Sequence, residues 1–228
     1  MRLALLLVVL TLAACAVTAG APPLVVPGGL PAEAEAVRVE GLGGARRGEV
    51  AFRGWEGRFE RQFSTSRTNR WDQQRFDGSF RLAGDGGEAI GICAMREGLL
   101  EVPAPLLGTV QVPAISYVYD CELEADGRAG RLQIGEVVTS TYAPAGDRRG
   151  LAYLGDGPAI EVRSLHQLEG VPVRSTAPWG YGLFSEGRPV GVVDLTDARP
   201  VLRLPPEGSP AAETAELAAL ALAMLQTE

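Results

Sequence analysis

Short apolar segments separated by turn signals run through most of this chain, from about residue 48 to residue 206. Most of the segments have the length of a strand and are too short for a typical helix. The turn signals combine Gly with Asp or Glu, and such pairs favour tight hairpins. Strands joined by such short turns run antiparallel. The turn signals are Asp77-Gly78, Asp85-Gly86-Gly87, Asp126-Gly127, Gly155-Asp156-Gly157 and Glu186-Gly187.

This pattern predicts a mainly β fold built on one antiparallel sheet, arranged as a curved sheet, a sandwich or an open barrel, with one C-terminal helix packed on it. Strand and helix do not alternate along the chain, which argues against a doubly wound fold. The hairpin Phe184–Val190 is the clearest of the set. The predicted strands cover 49–56, 58–64, 78–83, 88–95, 115–124, 131–138, 159–168, 179–185, 189–195 and 200–204.

The C-terminal segment changes from strand to helical periodicity, and it predicts a helix over 210–225. Ser209 is the expected N-cap, and Pro210 suits the first turn. The apolar residues fall on one face, which we expect to pack against the sheet. That face holds Leu217, Leu220, Ala221 and Met224.

The N-terminus has the three parts of a secretory signal peptide. Arg2 supplies a positive charge, the apolar run Leu3–Leu10 follows, and small residues then lead to Cys15. The apolar run is too short to span a membrane as a helix, which needs about 20 residues.

Leu12-Ala13-Ala14-Cys15 resembles the lipobox of bacterial lipoproteins. The resemblance covers about 15 residues and implies cleavage between Ala14 and Cys15. It also implies that Cys15 is lipidated on its thiol and acylated, for example with palmitate, on its new amine. Several acyl chains would hold the protein on a membrane. Ala16, rather than Asp, follows the cysteine, and by resemblance to enteric lipoproteins this favours the outer membrane.

Pro- and Gly-rich sequence follows, so we expect residues 15–45 to be a flexible tether and residues 46–228 to form a single β-rich domain. Gly41-Leu42-Gly43-Gly44 invites comparison with a dinucleotide-binding loop. The third glycine of G-x-G-x-x-G would fall on Arg46, so the motif fails and a linker is the better interpretation.

Cys93 and Cys121 remain as a pair once Cys15 is assigned to lipid. Each lies in a strand-like run, and an oxidising compartment would favour a disulfide between them. Free buried thiols, or a redox or metal pair, are the alternatives. The two cysteines do not form a C-x-x-C motif, which argues against a redox pair. A metal site needs more ligands than two thiols and the single, distant His166.

Charge is distributed unevenly along the chain. The formal net charge is −7, which argues against a nucleic-acid partner, and all 21 basic residues are arginine. Residues 46–81 nevertheless hold nine arginines against five acids, together with seven of the fourteen aromatic residues. Trp55, Phe59 and Phe63 would share one strand face and form core. The arginines and the remaining aromatic residues of 46–81 suggest an anion-binding surface. We expect this surface to be most exposed in a loop from Ser64 to Gln74, which contains Arg67, Arg70 and Trp71.

The sequence offers no set of catalytic residues. His166 lies on an apolar strand face with Ser164, Ser175 is near, and no G-x-S-x-G elbow accompanies them. Glu122 and Glu124 share a strand face but fit a solvated edge. We therefore expect no enzyme activity, no cofactor and no metal.

These observations favour a membrane-anchored bacterial envelope lipoprotein in the periplasm, acting as a non-enzymatic binding or assembly module. Its partners would be the membrane, through the lipid anchor, and an envelope protein, lipid or polysaccharide. A carrier of lipid or another apolar ligand in a cavity between sheet and helix is the alternative, and an envelope hydrolase has no positive support.

Overall fold

The structure of the chain, a computed structural model, describes residues 22–30, 32–68, 70–84, 87–104, 108–137 and 146–226. Twelve strands and one helix lie within these residues. They are β1 (Glu35–Arg38), β2 (Arg47–Phe52), β3 (Trp55–Thr68), β4 (Trp71–Gly84), β5 (Gly87–Ala104), β6 (Gly108–Ala125), β7 (Arg128–Glu136), β8 (Arg148–Leu154), β9 (Ile160–Leu165), β10 (Gly180–Ser185), β11 (Arg188–Asp194), β12 (Val201–Leu204) and α1 (Ala212–Ala223).

All twelve strands belong to one antiparallel sheet in which each strand from β2 to β12 pairs with its neighbours in the chain, and β1 pairs with β12. The two ends of the sheet then meet. The amide of Glu40 donates to the carbonyl of Ala51 at 2.9 Å, and the amide of Ala51 donates back at 3.2 Å. The sheet therefore closes into a barrel-like body, and the predicted mainly antiparallel fold with one C-terminal helix is confirmed.

Alternation along the strands decides which side chains enter this body. Trp55 and Phe59 on β3 are buried, Phe63 packs against the same core, and the residues between them are mostly exposed. The prediction that these three aromatic residues form core is confirmed. Glu122 and Glu124 on β6 lie on the outer face and are exposed.

The helix α1 runs through the interior of the body. It contacts several strands of the sheet: Tyr119 on β6 donates to the carbonyl of Ala221 at 2.5 Å, and Trp55 on β3 donates from Nε1 to Glu216 at 3.0 Å. It also packs against β5, β8, β11 and β12. Every residue from Thr214 to Met224 is buried. The expectation of a helix with a single buried face is therefore wrong, because the sheet surrounds it.

The start of the helix also differs from the prediction. The N-cap position is Ala211, which has no side chain to cap the first turn, and α1 begins at Ala212. Ser209 accepts the amide of Ala212 through its backbone carbonyl at 3.0 Å, while its buried hydroxyl has no hydrogen bond. A backbone turn thus replaces the side-chain cap that the sequence suggests.

The predicted disulfide between Cys93 and Cys121 is present. The two residues face each other directly across β5 and β6, and both side chains point into the core. The bond therefore joins two strands that are already paired and closes the hairpin between them.

The expected tether over 15–45 is wrong for its later part. Residues 35–38 form β1, and Val39 and Leu42 are fully buried, because they complete the core where the sheet closes. Leu24 is also buried, against Leu165 and Val192 on the outer face of the sheet. The folded domain thus includes residues that the sequence assigned to a linker.

Candidate functional site

Four strands are much longer than the others and extend beyond the body. β3 and β4 have 14 residues each, and β5 and β6 have 18 each, whereas the remaining strands have four to nine. The buried positions of these strands end near Phe63, Phe76, Met95 and Tyr117. We call the part beyond them the projecting sheet; it consists of 64–68, 70–75, 96–104 and 108–116. From residue 96 to residue 104 it reaches roughly 30 Å.

The expected loop from Ser64 to Gln74 is instead the distal end of the β3–β4 hairpin. The prediction fails because the polar residues of this segment show no apolar alternation, while pairing across the hairpin and with β5 holds them extended. The structure places Arg67 near the end of β3, Arg70 in the turn and Trp71 at the start of β4. The three predicted residues therefore lie together at the tip of the projecting sheet.

Both arginines at the tip contact Glu101 of β5. The guanidinium of Arg67 lies 3.2 Å from the Glu101 carboxylate, and the Glu101 amide donates to the carbonyl of Arg70 at 2.7 Å. The side chain of Arg67 is 69% exposed, so this ion pair is a surface contact that contributes little to stability. The charge of Arg67 is thus partly neutralised by Glu101, which makes Arg67 a weaker candidate for binding an anion.

The outer face of the projecting sheet, the one continuous with the outside of the body, is apolar near the tip. Trp71, Leu100 and Val112 are direct neighbours across β4, β5 and β6. Val102 extends the row along β5, and Ile115 lies opposite Gly98 on the same face. Val102 and Val112 are 37% and 39% exposed. Contiguous apolar side chains at a surface mark contact sites more often than chance.

Two arginines lie behind this apolar row on the same face. Arg75 on β4 and Arg96 on β5 are direct cross-strand partners, and both are exposed. Neither forms an ion pair with another described residue, although Arg75 contacts the Gln73 side chain. Like charges in this arrangement destabilise a sheet unless an anion lies between them. Arg75 belongs to the basic stretch 46–81 of the sequence but not to its expected exposed part, the three residues Arg67, Arg70 and Trp71, and Arg96 lies outside that stretch.

The carboxylates of the projecting sheet lie on the opposite, inner face. Asp72, Glu97 and Glu101 alternate with the outer residues along β4 and β5. Among the residues that the structure describes in the projecting sheet, the outer face has no carboxylate. The two faces therefore differ in charge: Arg75, Arg96 and the apolar row occupy the outer face, whereas the inner face carries the acids together with Arg67, which is paired with Glu101.

A polar cluster lies where the inner face of the projecting sheet meets the open end of the body. The guanidinium of Arg148 on β8 stacks on the ring of Tyr117, 3.5 Å from its centroid, and lies 3.6 Å from the carboxylate of Glu97. Burial raises the pKa of Glu97, and Arg148 opposes that rise. Burial also raises the pKa of Tyr117. The sequence did not reveal this cluster, because its members come from β5, β6 and β8.

His166 lies at the edge of this cluster, just after β9. Its Nε2 is 2.8 Å from the Ser164 hydroxyl, and its Nδ1 is 3.0 Å from the carbonyl of Ser175. Asp147 lies 3.5 Å from the same Nε2. A catalytic triad needs the acid and the nucleophile on different ring nitrogens, so this arrangement is not a relay. The hydroxyl of Ser164 also accepts the backbone amide of Arg148 at 2.9 Å, so Ser164 links His166 to the start of β8.

The predicted lipidation and cleavage site, Ala14 and Cys15, lies outside the described residues. Within the described ranges, no helix is both long and apolar enough to cross a membrane. The same ranges contain no cluster of three or more His, Cys, Asp or Glu side chains arranged to hold a metal ion.

Comparison with known proteins found no match: no protein-family model, no curated protein and no solved structure resembles the chain significantly.

Proposed function

We propose that this protein is a lipid-anchored bacterial envelope protein whose folded domain is a non-enzymatic binding or assembly module. The lipobox-like segment ending at Cys15 supports the anchor, on the periplasmic side of the outer membrane. The pair Cys93–Cys121 supports an oxidising compartment, since stable disulfides are rare in the cytosol.

The observation that carries the binding role is the projecting sheet. A sheet usually buries at least one face, yet this one extends roughly 30 Å from the body with apolar groups in solvent. Among the described residues, the core of the domain makes no packing contact with Trp71, Val102 or Val112. A surface of this kind is explained by contact with a partner.

The carrier alternative would need an apolar space between sheet and helix. The helix α1 occupies the interior of the body instead, and Ala215, Leu217, Ala218 and Leu222 are fully buried. We therefore favour docking on the outside over storage of a ligand inside.

The anchor is tested by expressing the full chain and a Cys15→Ser variant in a Gram-negative host. We expect the mature protein to begin at Cys15 with the added mass of its acyl chains, and to fractionate with membranes. The Cys15→Ser variant should lose the acyl mass and leave the membrane fraction on washing. A mature protein without acyl mass would refute the anchor.

The binding role is tested by placing a photo-reactive amino acid at Val102, with Arg188 at the start of β11 as the control position. Arg188 is well exposed and belongs to a different hairpin. We expect irradiation of whole cells to give defined adducts from position 102 and none from position 188. Equal labelling at both positions, or none, would refute a docking role for the projecting sheet.

A further inference from the structure

We propose that the outer face of the projecting sheet docks on an anionic lipid surface. This inference rests on the proposed function, because the anchor at Cys15 is what brings the domain to a membrane. It adds the chemical identity of the partner: phosphate groups at the level of the two free arginines, with an apolar layer beside them.

The apolar row has the size and composition that suit the boundary between headgroups and acyl chains. Trp71, Leu100 and Val112 occupy three adjacent strands, so the row is roughly 10 Å wide between the outer two strands. Val102 lengthens it toward the tip. Indole rings favour this boundary because one edge is polar and the remainder apolar. A sheet face of this size can lie in the interface without crossing the bilayer.

The arginine pair supplies the charge complementarity. Arg75 and Arg96 lie side by side, about 13 Å along β4 from Trp71, with no carboxylate between them and the apolar row on that face among the described residues. Guanidinium groups bind phosphate oxygens with two parallel hydrogen bonds. An anionic surface would also remove the repulsion between the two side chains.

The row that contains these arginines continues across the body. Following the pairing from Arg96 through β6 and β7, the same row reaches Arg149, which is also exposed. Arg163 is next in this row, but it is paired with Glu161. The carboxylates of the projecting sheet lie on its inner face, whereas Asp77 and Asp120 lie on the outer face of the body beyond the arginine row. The outer face of the projecting sheet is therefore the part that can approach an anionic surface with the least repulsion.

The position of the first described residues agrees with this orientation. Val25 donates its amide to the carbonyl of Gln167 at 2.9 Å, just past the end of β9. The register places the end of β9 at the same end of the body as the projecting sheet. Cys15 precedes Leu24 by nine residues, which span at most about 32 Å. A membrane that holds Cys15 is therefore within reach of the projecting sheet.

The test uses the full chain carrying Cys15→Ser, so that no acyl chain contributes, and vesicles of either pure phosphatidylcholine or a mixture with phosphatidylglycerol. We expect sedimentation with the mixed vesicles, weakened by salt, and little with phosphatidylcholine alone. Arg75→Gln/Arg96→Gln should lower binding by about 25-fold, at roughly fivefold for each arginine. Val102→Ser/Val112→Ser should also lower it.

The matched controls change exposed groups elsewhere on the sheet. Arg188→Gln/Arg203→Gln removes two arginines from β11 and β12, and Leu151→Ser/Tyr153→Ser removes two exposed apolar groups from β8. Both should bind as the parent does, and unchanged melting temperatures would show that all variants fold. If Arg75→Gln/Arg96→Gln fails to fold, Arg96→Gln alone replaces it.

Equal binding to both kinds of vesicle, equal loss in the control variants, or no binding at all would overturn the lipid proposal. Adducts from position 102 to an acidic protein, combined with absence of vesicle binding, would overturn it while leaving the proposed binding module intact. The anchor at Cys15 is tested by a separate experiment, which measures the acyl mass of the mature protein.

Discussion

The guanidinium of Arg61, on β3, donates from Nη1 to the carbonyl of Met224 at the carboxyl end of α1, over 3.1 Å. The same side chain donates to the carbonyls of Gln226, Leu42 and Ala45 at 2.7–2.9 Å. A buried cation at this position satisfies carbonyls that a helix end leaves open and complements the helix dipole. It also joins β3 to the segment that closes the sheet.

Replacing Arg61 with Met should therefore lower the free energy of unfolding by about 2–4 kcal/mol, because several buried carbonyls lose their donor. Urea denaturation followed by circular dichroism measures this. Arg58→Met is the matched control, since Arg58 lies on the outer face of the same strand and is exposed. Similar losses in both variants would contradict the assigned role of Arg61.

The interior position of α1 predicts that opposite faces of the helix contribute equally. Leu220→Ala and Leu222→Ala should each lower the free energy of unfolding by about 2–5 kcal/mol, because both side chains are fully buried. A helix with one buried face would tolerate Leu222→Ala, since Leu222 lies opposite Leu220. Chemical denaturation of the two variants side by side distinguishes the arrangements, and a small effect at Leu222 would argue against an enclosed helix.

The disulfide predicts a redox-dependent stability. Cys93 and Cys121 are 28 residues apart, and opening a loop of that length costs roughly 3–4 kcal/mol in the chain-entropy description. The midpoint of thermal unfolding should fall when a reductant is added to the wild-type protein. The variant Cys93→Ala/Cys121→Ala is the control, because its midpoint should be low and unaffected by reductant. A wild-type midpoint that reductant does not change would show that the bond contributes little.

His166 predicts a loss of stability in mild acid. Burial lowers the pKa of this imidazole, Arg174 and Arg148 lower it further, and Asp147 and the Ser175 carbonyl oppose them. The unfolded chain therefore binds the proton more readily, with an ordinary pKa of about 6.5. This contribution is present above that value and is lost as the pH falls below it toward the folded pKa.

The measurement compares melting temperatures of wild type and His166→Gln from pH 8 to pH 5. The variant should be less stable at pH 8, because it loses the contacts with Ser164 and Ser175. The difference between the two proteins should shrink as the pH falls, since only the wild type carries this titrating group. A constant difference across the range would mean that His166 is not responsible.

Local pattern revealed much of the sheet before the structure did. Turn dipeptides and period-two alternation identified most of the strands and the cysteine pair, because hairpin pairing acts between neighbours in the sequence. The strand β8 was missed, although Arg148–Leu154 alternates, and the projecting sheet was underestimated. Apart from Trp71, the projecting part of its β3–β4 hairpin is polar on both faces, so it has no apolar periodicity to detect.

What the sequence alone determined is the repertoire of elements: an antiparallel chain of hairpins, a disulfide pair, a C-terminal helix and an arginine-rich segment. The tertiary structure decided where these elements lie. Closure through Glu40 and Ala51 joins residues at opposite ends of the sheet, and it encloses a helix whose alanines leave room for the surrounding side chains. Register across five strands brings Arg75, Arg96 and Arg149 onto one row. Such relationships depend on contacts between distant residues, which local propensity does not encode.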